Sequence, residues 1–404
     1  MRILITQARF LLGGTETYAV TVAEQLEWLG HPVKIHAGTA SDAGRDLVAS
    51  RGIELSVGPA SKLAGIDDVD AVIAQDAACA YALASRRPDL PQIFVTHGFA
   101  PIERPAAALE PAPSVVVLND RVGDHMDAIA GRPPLVRLRQ PIDIDRFRPG
   151  NASRPKARRV LVLSNYLPAD RLRMLEEVCA ELGLEVSRLG DGAVKTIDPR
   201  PELDRADIVV GYGRSALEGM SMGRATYVWD RAGGDGWVTP ETYAAIEADG
   251  FSGGATDLVI DRERLRADLA GYRPELGTLG FDLVRKHHSA RRHAEALVEL
   301  LRQATEPRPS EHYETIALLV RAEARAVSRA EGAEYGSRLL LAEHDLQRDR
   351  AELAEVAREE EVARREEETA RREAVEAKLA EVFGSRSWRA MEPLRRLGAR
   401  VRVR

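Results

Sequence analysis

The chain has 404 residues, 44% of them hydrophobic and 32 of them glycine, which is enough for two or three domains that each bury a core. A formal net charge of −6 excludes a strongly basic nucleic-acid binder, so nucleic acid is not an expected partner. Two cysteines, Cys79 and Cys179, stand far apart in helix-like surroundings, which excludes a disulfide framework and fits a reducing compartment.

The opening "MRILITQ" reads as a strand rather than a charged-then-apolar leader, and no apolar run of spanning length follows, so the expected location is cytoplasmic. Arg2–Thr6 is a buried apolar strand, followed by a helix over Thr15–Leu29 with Val20, Ala23 and Leu26 on one face. Strands are predicted at Val33–Ala37, Ala71–Gln75, Ile93–Thr96 and Val115–Leu118. Such alternation implies a parallel sheet covered on both faces, with ligands bound beyond the carboxyl ends of its strands.

Pro149–Ala157, "PGNASRPKA", is polar and rich in breakers and reads as a linker. The alternation then restarts, with strands at Val160–Ser164, Ile208–Gly211 and Thr226–Trp229 and helices at Arg171–Leu182 and Ala216–Gly223. The fold class is therefore α/β: two doubly wound, Rossmann-like domains over residues 1–150 and 151–305, then a helical region over 306–384 and a tail over 385–404.

From Thr315 to Val382 the chain is dominated by Ala, Glu and Arg, with Leu339, Leu346, Leu353 and Val356 at heptad spacing. A weakly self-associating coiled coil and a solvated single helix both fit that pattern. The last segment carries seven arginines against Glu392, interleaved with Trp388, Leu394 and Leu397. Peripheral contact with an anionic membrane, at the inner face of the plasma membrane, fits this segment, and so does a tail that folds back on the acidic helix or contacts a partner protein.

Three stretches carry candidate chemistry. In "RFLLGGTETYAV", Gly13 and Gly14 follow the first strand and open a helix, so backbone N–H groups can approach an anion closely. In "FVTHGFAP", His97 stands at a strand's carboxyl end, where this architecture binds ligands. In "GYGRSALEGMSMGRATYVWD", Gly213 and Ser215 open a second helix start, Arg214 adds a positive charge, and Glu218 lies one turn on, within reach of a sugar hydroxyl. Strand-to-helix turns use glycine routinely, a lone histidine is commonly structural, and a lone helix glutamate is commonly exposed. Two such cradles in successive domains favour a ligand. No metal site is expected: the histidines are scattered, and no His-x-x-x-His pair occurs in the globular part.

Together, "GGTE", "THGF", "PIDIDRFRP" and "GYGRSALEGMSMGRATYV" resemble the retaining GT-B glycosyltransferases of the family 4 type, over roughly residues 1–305. Asp143–Pro149 matches that family's "GVD-x-x-x-F-x-P" signature, and "FDLVRKHHSARRHAEALVELL" is similar to its closing helices, which cross back to the first domain. The resemblance implies transfer of a sugar from a nucleotide-diphosphate sugar, as substrate rather than cofactor, to a glycan or lipid-linked acceptor. It implies that Glu218 holds the nucleotide ribose, that His97, the candidate catalytic residue, lines the sugar or acceptor side, and that Glu16 of "GGTE" lies on the acceptor side. Two positions depart from the family. The first of its paired glutamates falls on Val210, and its diphosphate-binding Arg and Lys fall on Asn165 and Asp170. Arg171, Arg173 or Arg214 is then expected to supply the missing charge, with Asn165 and Arg171 on the donor side. The glycine-rich "RAGGDGWVTPETY" reads as a loop facing the nucleotide, with Trp237 against the base or the hinge. These departures also favour a second reading, a catalytically degenerate GT-B binding module that works through its coiled coil.

Overall fold

A computed structural model of the full chain describes residues 1–98, 112–129, 132–190, 196–304, 311–327 and 329–330, with short helical stretches between 358 and 378. Met1–Arg325 forms one compact unit and Ala326–Arg404 another.

The first unit holds two sheets. One is built from β1 (Ile3–Phe10), β2 (Val33–Ala40), β3 (Glu54–Val57), β4 (Ala71–Ala74), β5 (Gln92–Thr96), β6 (Val115–Val117) and β7 (Leu135–Arg137). The strand order is β3-β2-β1-β4-β5-β6-β7, and every pairing is parallel. Successive side chains leave a strand on opposite faces, so Ile3 and Ile5 enter one core while Leu4 enters the other. The first core is closed by α1 (Gly14–Trp28) and α2 (Asp42–Ala49), the second by α3 (Ala77–Arg86) and α4 (Asp120–Asp127).

The second sheet comprises β8 (Arg159–Leu163), β9 (Glu185–Leu189), β10 (Ile208–Gly211), β11 (Ala225–Asp230) and β12 (Gly233–Trp237). Its order is β12-β11-β10-β8-β9, with β12 antiparallel to β11 and the rest parallel. Leu161, Val209 and Val228 pack toward α7 (Arg214–Ser221), α8 (Tyr243–Ala248) and α10 (Glu275–His287). Val160, Val162 and Val210 pack toward α5 (Ala169–Glu181) and α9 (Arg262–Ala270). Between β9 and β10 lies the short α6 (Arg200–Arg205).

The glycine-rich loop expected after β11 is instead strand β12. Glycine is required there for space: a Cβ on Gly234 would lie 2.3 Å from Ile260 Cδ1 and 2.5 Å from Trp229 Cδ1. Trp237 faces neither base nor hinge. Its ring stands edge-on to Tyr227 at 5.1 Å, and its Nε1–H donates to the Asp268 carbonyl at 3.1 Å.

The chain passes between the two sheets twice, and the crossings are joined. Ile142 N donates to His288 O at 2.7 Å and Ala290 N to Ile142 O at 2.9 Å. Beyond this junction α11 (Ala290–Gln303) returns to the first sheet, where Ala294, Leu297, Val298 and Leu301 complete the core beneath α1. A helix beginning at residue 313 then buries Tyr313, Ala317 and Val320 in the α3 core, with the Tyr81 and Tyr313 rings 5.7 Å apart. The first turns of the Ala/Glu/Arg-rich region are thus core rather than free extension.

In the second unit the described residues are helical, with an ion pair from Arg365 to Glu361 at 2.7 Å. The heptad positions Leu339, Leu346, Leu353 and Val356, and the tail from Ser385, lie outside the described residues. Among the described residues no helix is long and apolar enough to cross a membrane.

Candidate functional site

A cavity of about 480 Å³ opens at the carboxyl ends of both sheets. Gly13, Gly14, Glu16 and His97 reach it from the first sheet, and Asn165, Gly213, Arg214 and Ser215 from the second. Sequence-predicted residues far apart in the chain therefore share one space. Glu218 and Arg171 do not line it.

Both glycine cradles open helices without a side-chain cap. Gly13 caps α1 in extended conformation, and Gly213 caps α7 at φ +54°. The second cradle is narrower than the spacing suggests, because Gly213 N donates to Phe251 O at 2.8 Å and Ser215 N to Tyr212 O at 3.1 Å. Glu16 serves its own loop. Its carboxylate accepts from Gln7 Nε2 at 3.0 Å, Leu11 N at 3.1 Å and Thr15 Oγ1 at 3.0 Å, which sets the backbone that presents Gly13.

Arg214 is not a free phosphate ligand. Its Nε donates to Glu218 at 2.9 Å, one terminal nitrogen to Pro141 O at 2.8 Å, and the other to Thr21 Oγ1 at 3.0 Å. Its side chain is 7% exposed and that of Glu218 8%, so the acid expected to hold ribose is a buried partner of arginine. Burial pushes the Glu218 carboxyl up and the Arg214 guanidinium down, and their contact opposes both shifts. Arg171 is also committed. It donates to the carbonyls of Asp230 and Gly233 and sits 5.9 Å from the Trp229 ring, holding the β11–β12 turn. Val210, the position of the family's first glutamate, is fully buried toward α5 and α9.

His97 is mostly buried against Tyr18, with ring centroids 4.6 Å apart, and its Nε2 pairs with Gln75 Oε1 at 2.7 Å. An amide oxygen only accepts, so Nε2 carries the proton and Nδ1 is left as an acceptor. Burial pulls its pKa down to about 3, with His293 and Arg214 adding to the shift. The ring is neutral and presents an acceptor nitrogen rather than a proton. Two further histidines read as scattered are structural: His288 Nδ1 donates to Gln140 O at 2.8 Å and His293 Nδ1 to Arg139 O at 3.1 Å. Each then accepts from a tyrosine hydroxyl, Tyr243 at 2.9 Å and Tyr18 at 2.8 Å.

Several lining residues carry no local sequence signal. Tyr166 is 46% exposed at the end of β8 and stands edge-on to Tyr212, 5.8 Å away, with the Arg231 guanidinium 4.5 Å over its ring. Arg121 pairs with Asp249 at 3.2 Å, and Glu247 with Arg137 at 2.7 Å and Arg139 at 3.2 Å, joining the two sheets' loops along one rim. Arg9, exposed near the end of β1, is the lining cation without a hydrogen bond or ion pair among the described residues. It lies inside the first quoted motif, yet nothing local separates it from an ordinary exposed strand charge. No cluster of three or more His, Cys, Asp or Glu side chains placed to hold a metal ion occurs among the described residues.

No family model and no curated protein matches the sequence. Solved structures do match in fold. A glycosyltransferase from Rickettsia africae superposes with TM-score 0.54 at 15% identity, covering 75% of this chain and 98% of that one. HepE of Anabaena, solved with UDP and glucose, gives 0.52 at 13% identity over 75% of this chain and 100% of its own. The pneumococcal O-GlcNAc transferase GtfA, solved with UDP and GlcNAc, gives 0.52 at 9% identity over 75% and 99%. The fold is GT-B. In GT-B terms β1–β7 form the first domain, β8–β12 the second, and α11 is the helix that returns across the hinge. The cavity lies between the two GT-B domains, with Arg214 tying α7 to α1 behind it.

Proposed function

We propose that the chain transfers a sugar from a nucleotide-diphosphate sugar to a hydroxylated acceptor, a cell-surface glycan or a lipid-linked sugar. The observation that carries this is one cavity that joins two uncapped glycine helix starts, an exposed aromatic shelf and a neutral histidine. Helix starts and their amides favour a diphosphate. The Tyr166 face offers a stacking surface to the nucleobase, worth about 1–3 kcal/mol in comparable sites. His97 Nδ1 accepts from a hydroxyl of the transferred sugar. Two fold neighbours were solved with UDP and a sugar, which supports this class of donor.

Retention of configuration is part of the proposal. A histidine held at a pKa of about 3 is a poor base. The departing phosphate oxygen then takes the acceptor's proton, which places the acceptor on the leaving group's own face. The second reading, a degenerate binding module, is favoured by one finding: Glu218 and Arg214, expected to meet the donor, satisfy each other in a buried ion pair. A panel of UDP, GDP, ADP and CDP sugars, followed for ligand-induced melting shifts and for sugar release, separates the two. A tight ligand at a hundredfold its Kd stabilises by about 2.7 kcal/mol. Binding with turnover supports the transferase, binding without turnover the module, and no binding removes both.

A further inference from the structure

A cation beside a donor diphosphate stabilises it, and among the described residues the second domain lines the cavity with no unpaired one. Asn165 and Asp170 occupy the positions where an Arg and a Lys are expected. Arg171 is bound to the β11–β12 turn, outside the cavity. Of the three arginines that line the cavity among the described residues, Arg214 is held by Glu218, Pro141 and Thr21, and Arg121 by Asp249. The remaining one is Arg9. It projects from the penultimate position of β1, four residues before the Gly13 cap of α1, into the cavity shared with Gly213 and Ser215.

We infer that Arg9, a first-domain residue, is the catalytic cation that neutralises the donor's diphosphate across the interdomain cleft. The inference rests on the nucleotide-sugar reading above and names the residue that completes it. In the transfer, the bond from the sugar's anomeric carbon to the β-phosphate oxygen breaks, and its electron pair goes to that oxygen. The acceptor hydroxyl oxygen bonds the anomeric carbon, and its proton moves to the departing phosphate oxygen. A guanidinium donating to the phosphate oxygens stabilises the charge that builds during bond cleavage, as preorganised donors do in such sites. Because Arg9 and the Tyr166 shelf belong to different domains, a bound nucleoside diphosphate bridges both, whereas a nucleoside engages one.

The test is calorimetric titration of the full chain and of Arg9→Ala and Arg9→Lys with UDP, UMP and uridine, repeated with the guanosine and adenosine series. Arg9 is exposed and makes no hydrogen bond or ion pair among the described residues, so melting temperatures of both variants should equal that of the parent. For the base that binds, Arg9→Ala should weaken the diphosphate roughly 10- to 100-fold, the range for one charge-assisted hydrogen bond. The nucleoside should be unaffected, and Arg9→Lys should recover part of the loss. Unchanged diphosphate affinity in Arg9→Ala, including the case where Arg9 instead meets a phosphate on the acceptor, overturns the inference and leaves the nucleotide-sugar reading standing. Equal loss for diphosphate and nucleoside overturns it as well. If the parent protein binds no nucleotide in any series, the nucleotide-sugar reading fails and the role of Arg9 fails with it.

Discussion

Arg214, in the first turn of α7, donates to Thr21 Oγ1 on α1 at 3.0 Å, so a single buried side chain joins the two GT-B domains. The same guanidinium holds Glu218 at 2.9 Å and the Pro141 carbonyl of the crossing segment at 2.8 Å. Three donors reach three separate parts of the fold, and the helix acid is the counter-charge that makes burial tolerable.

Glu218→Ala should therefore destabilise the fold rather than only weaken a ligand. Removing one partner of a buried pair typically costs about 3–5 kcal/mol, because the other charge is left uncompensated. Replacing both, as Arg214→Met with Glu218→Leu, should restore a large part of that loss. Urea unfolding of the two single variants and the double variant decides it. A Glu218→Ala variant as stable as the parent would show that the pair is dispensable.

Gly250 marks the closest approach along the rim. A Cβ there would lie 2.4 Å from Asn119 Nδ2, and the residue sits at φ +76°. Gly250→Ala should cost about 1–2 kcal/mol from backbone conformation alone, with the steric contact added. It should also loosen the Arg121–Asp249 contact beside it. Asn119 caps α4 through Oδ1, so Asn119→Ser keeps a cap while removing the clashing amide. Partial recovery of the melting temperature in the double variant is the expected result, and none would place the whole cost in the backbone.

Acid should destabilise the protein through its buried histidines. His97 and His293 are pulled down to about 3 and His288 to about 4, in each case chiefly by burial. As pH falls below 6.5 the unfolded chain takes up protons that the folded chain refuses, so stability is lost between 6.5 and about 4. Asp76, pushed up to about 6 by burial, works the other way by about one proton between 3.8 and 6. Burial pushes Glu218, Asp230 and Asp235 up as well, so these carboxyls further reduce the slope that the histidines set. Denaturant midpoints from pH 7 to 4.5 measure it, and His97→Gln should flatten the curve by about one proton's worth.

Tyr166→Ala should weaken nucleoside and nucleoside diphosphate equally, by about 1–3 kcal/mol, if its face stacks on the base. The side chain is 46% exposed, so the fold should be unaffected. Calorimetry with UDP and uridine reads the effect. A loss confined to the diphosphate would assign Tyr166 to the phosphates instead.

The arginine-rich end from Ser385 should give salt-sensitive binding to anionic vesicles, at about 1 kcal/mol per arginine near the surface. Co-sedimentation of the full chain and a version ending at Gly384, with anionic and neutral lipid at low and high salt, tests this. Equal pelleting of the two forms would remove the membrane role.

Sequence alone determined the two-domain α/β order, because apolar runs such as Ile3–Ile5 and Ile208–Val210 bury both faces of a strand and announce themselves locally. It also placed Gly13, Gly14, His97 and Gly213 at strand ends, and the structure brings these into one cavity. It did not announce β3 and β9, whose burial is only partial, as in Glu54–Val57. Nor did it announce β12, since glycines pressed between Trp229 and Ile260 read as a turn until those neighbours are known. The roles of the charged residues were decided by tertiary structure alone. Arg9, Arg171 and Arg214 are the same residue type, each beside a strand end or helix start. Arg171 is consumed by carbonyls of a neighbouring turn, Arg214 by Glu218 and by contacts reaching across to the first domain, and Arg9 by nothing among the described residues. A guanidinium's availability depends on partners distant in the chain, and local spacing carries no record of them.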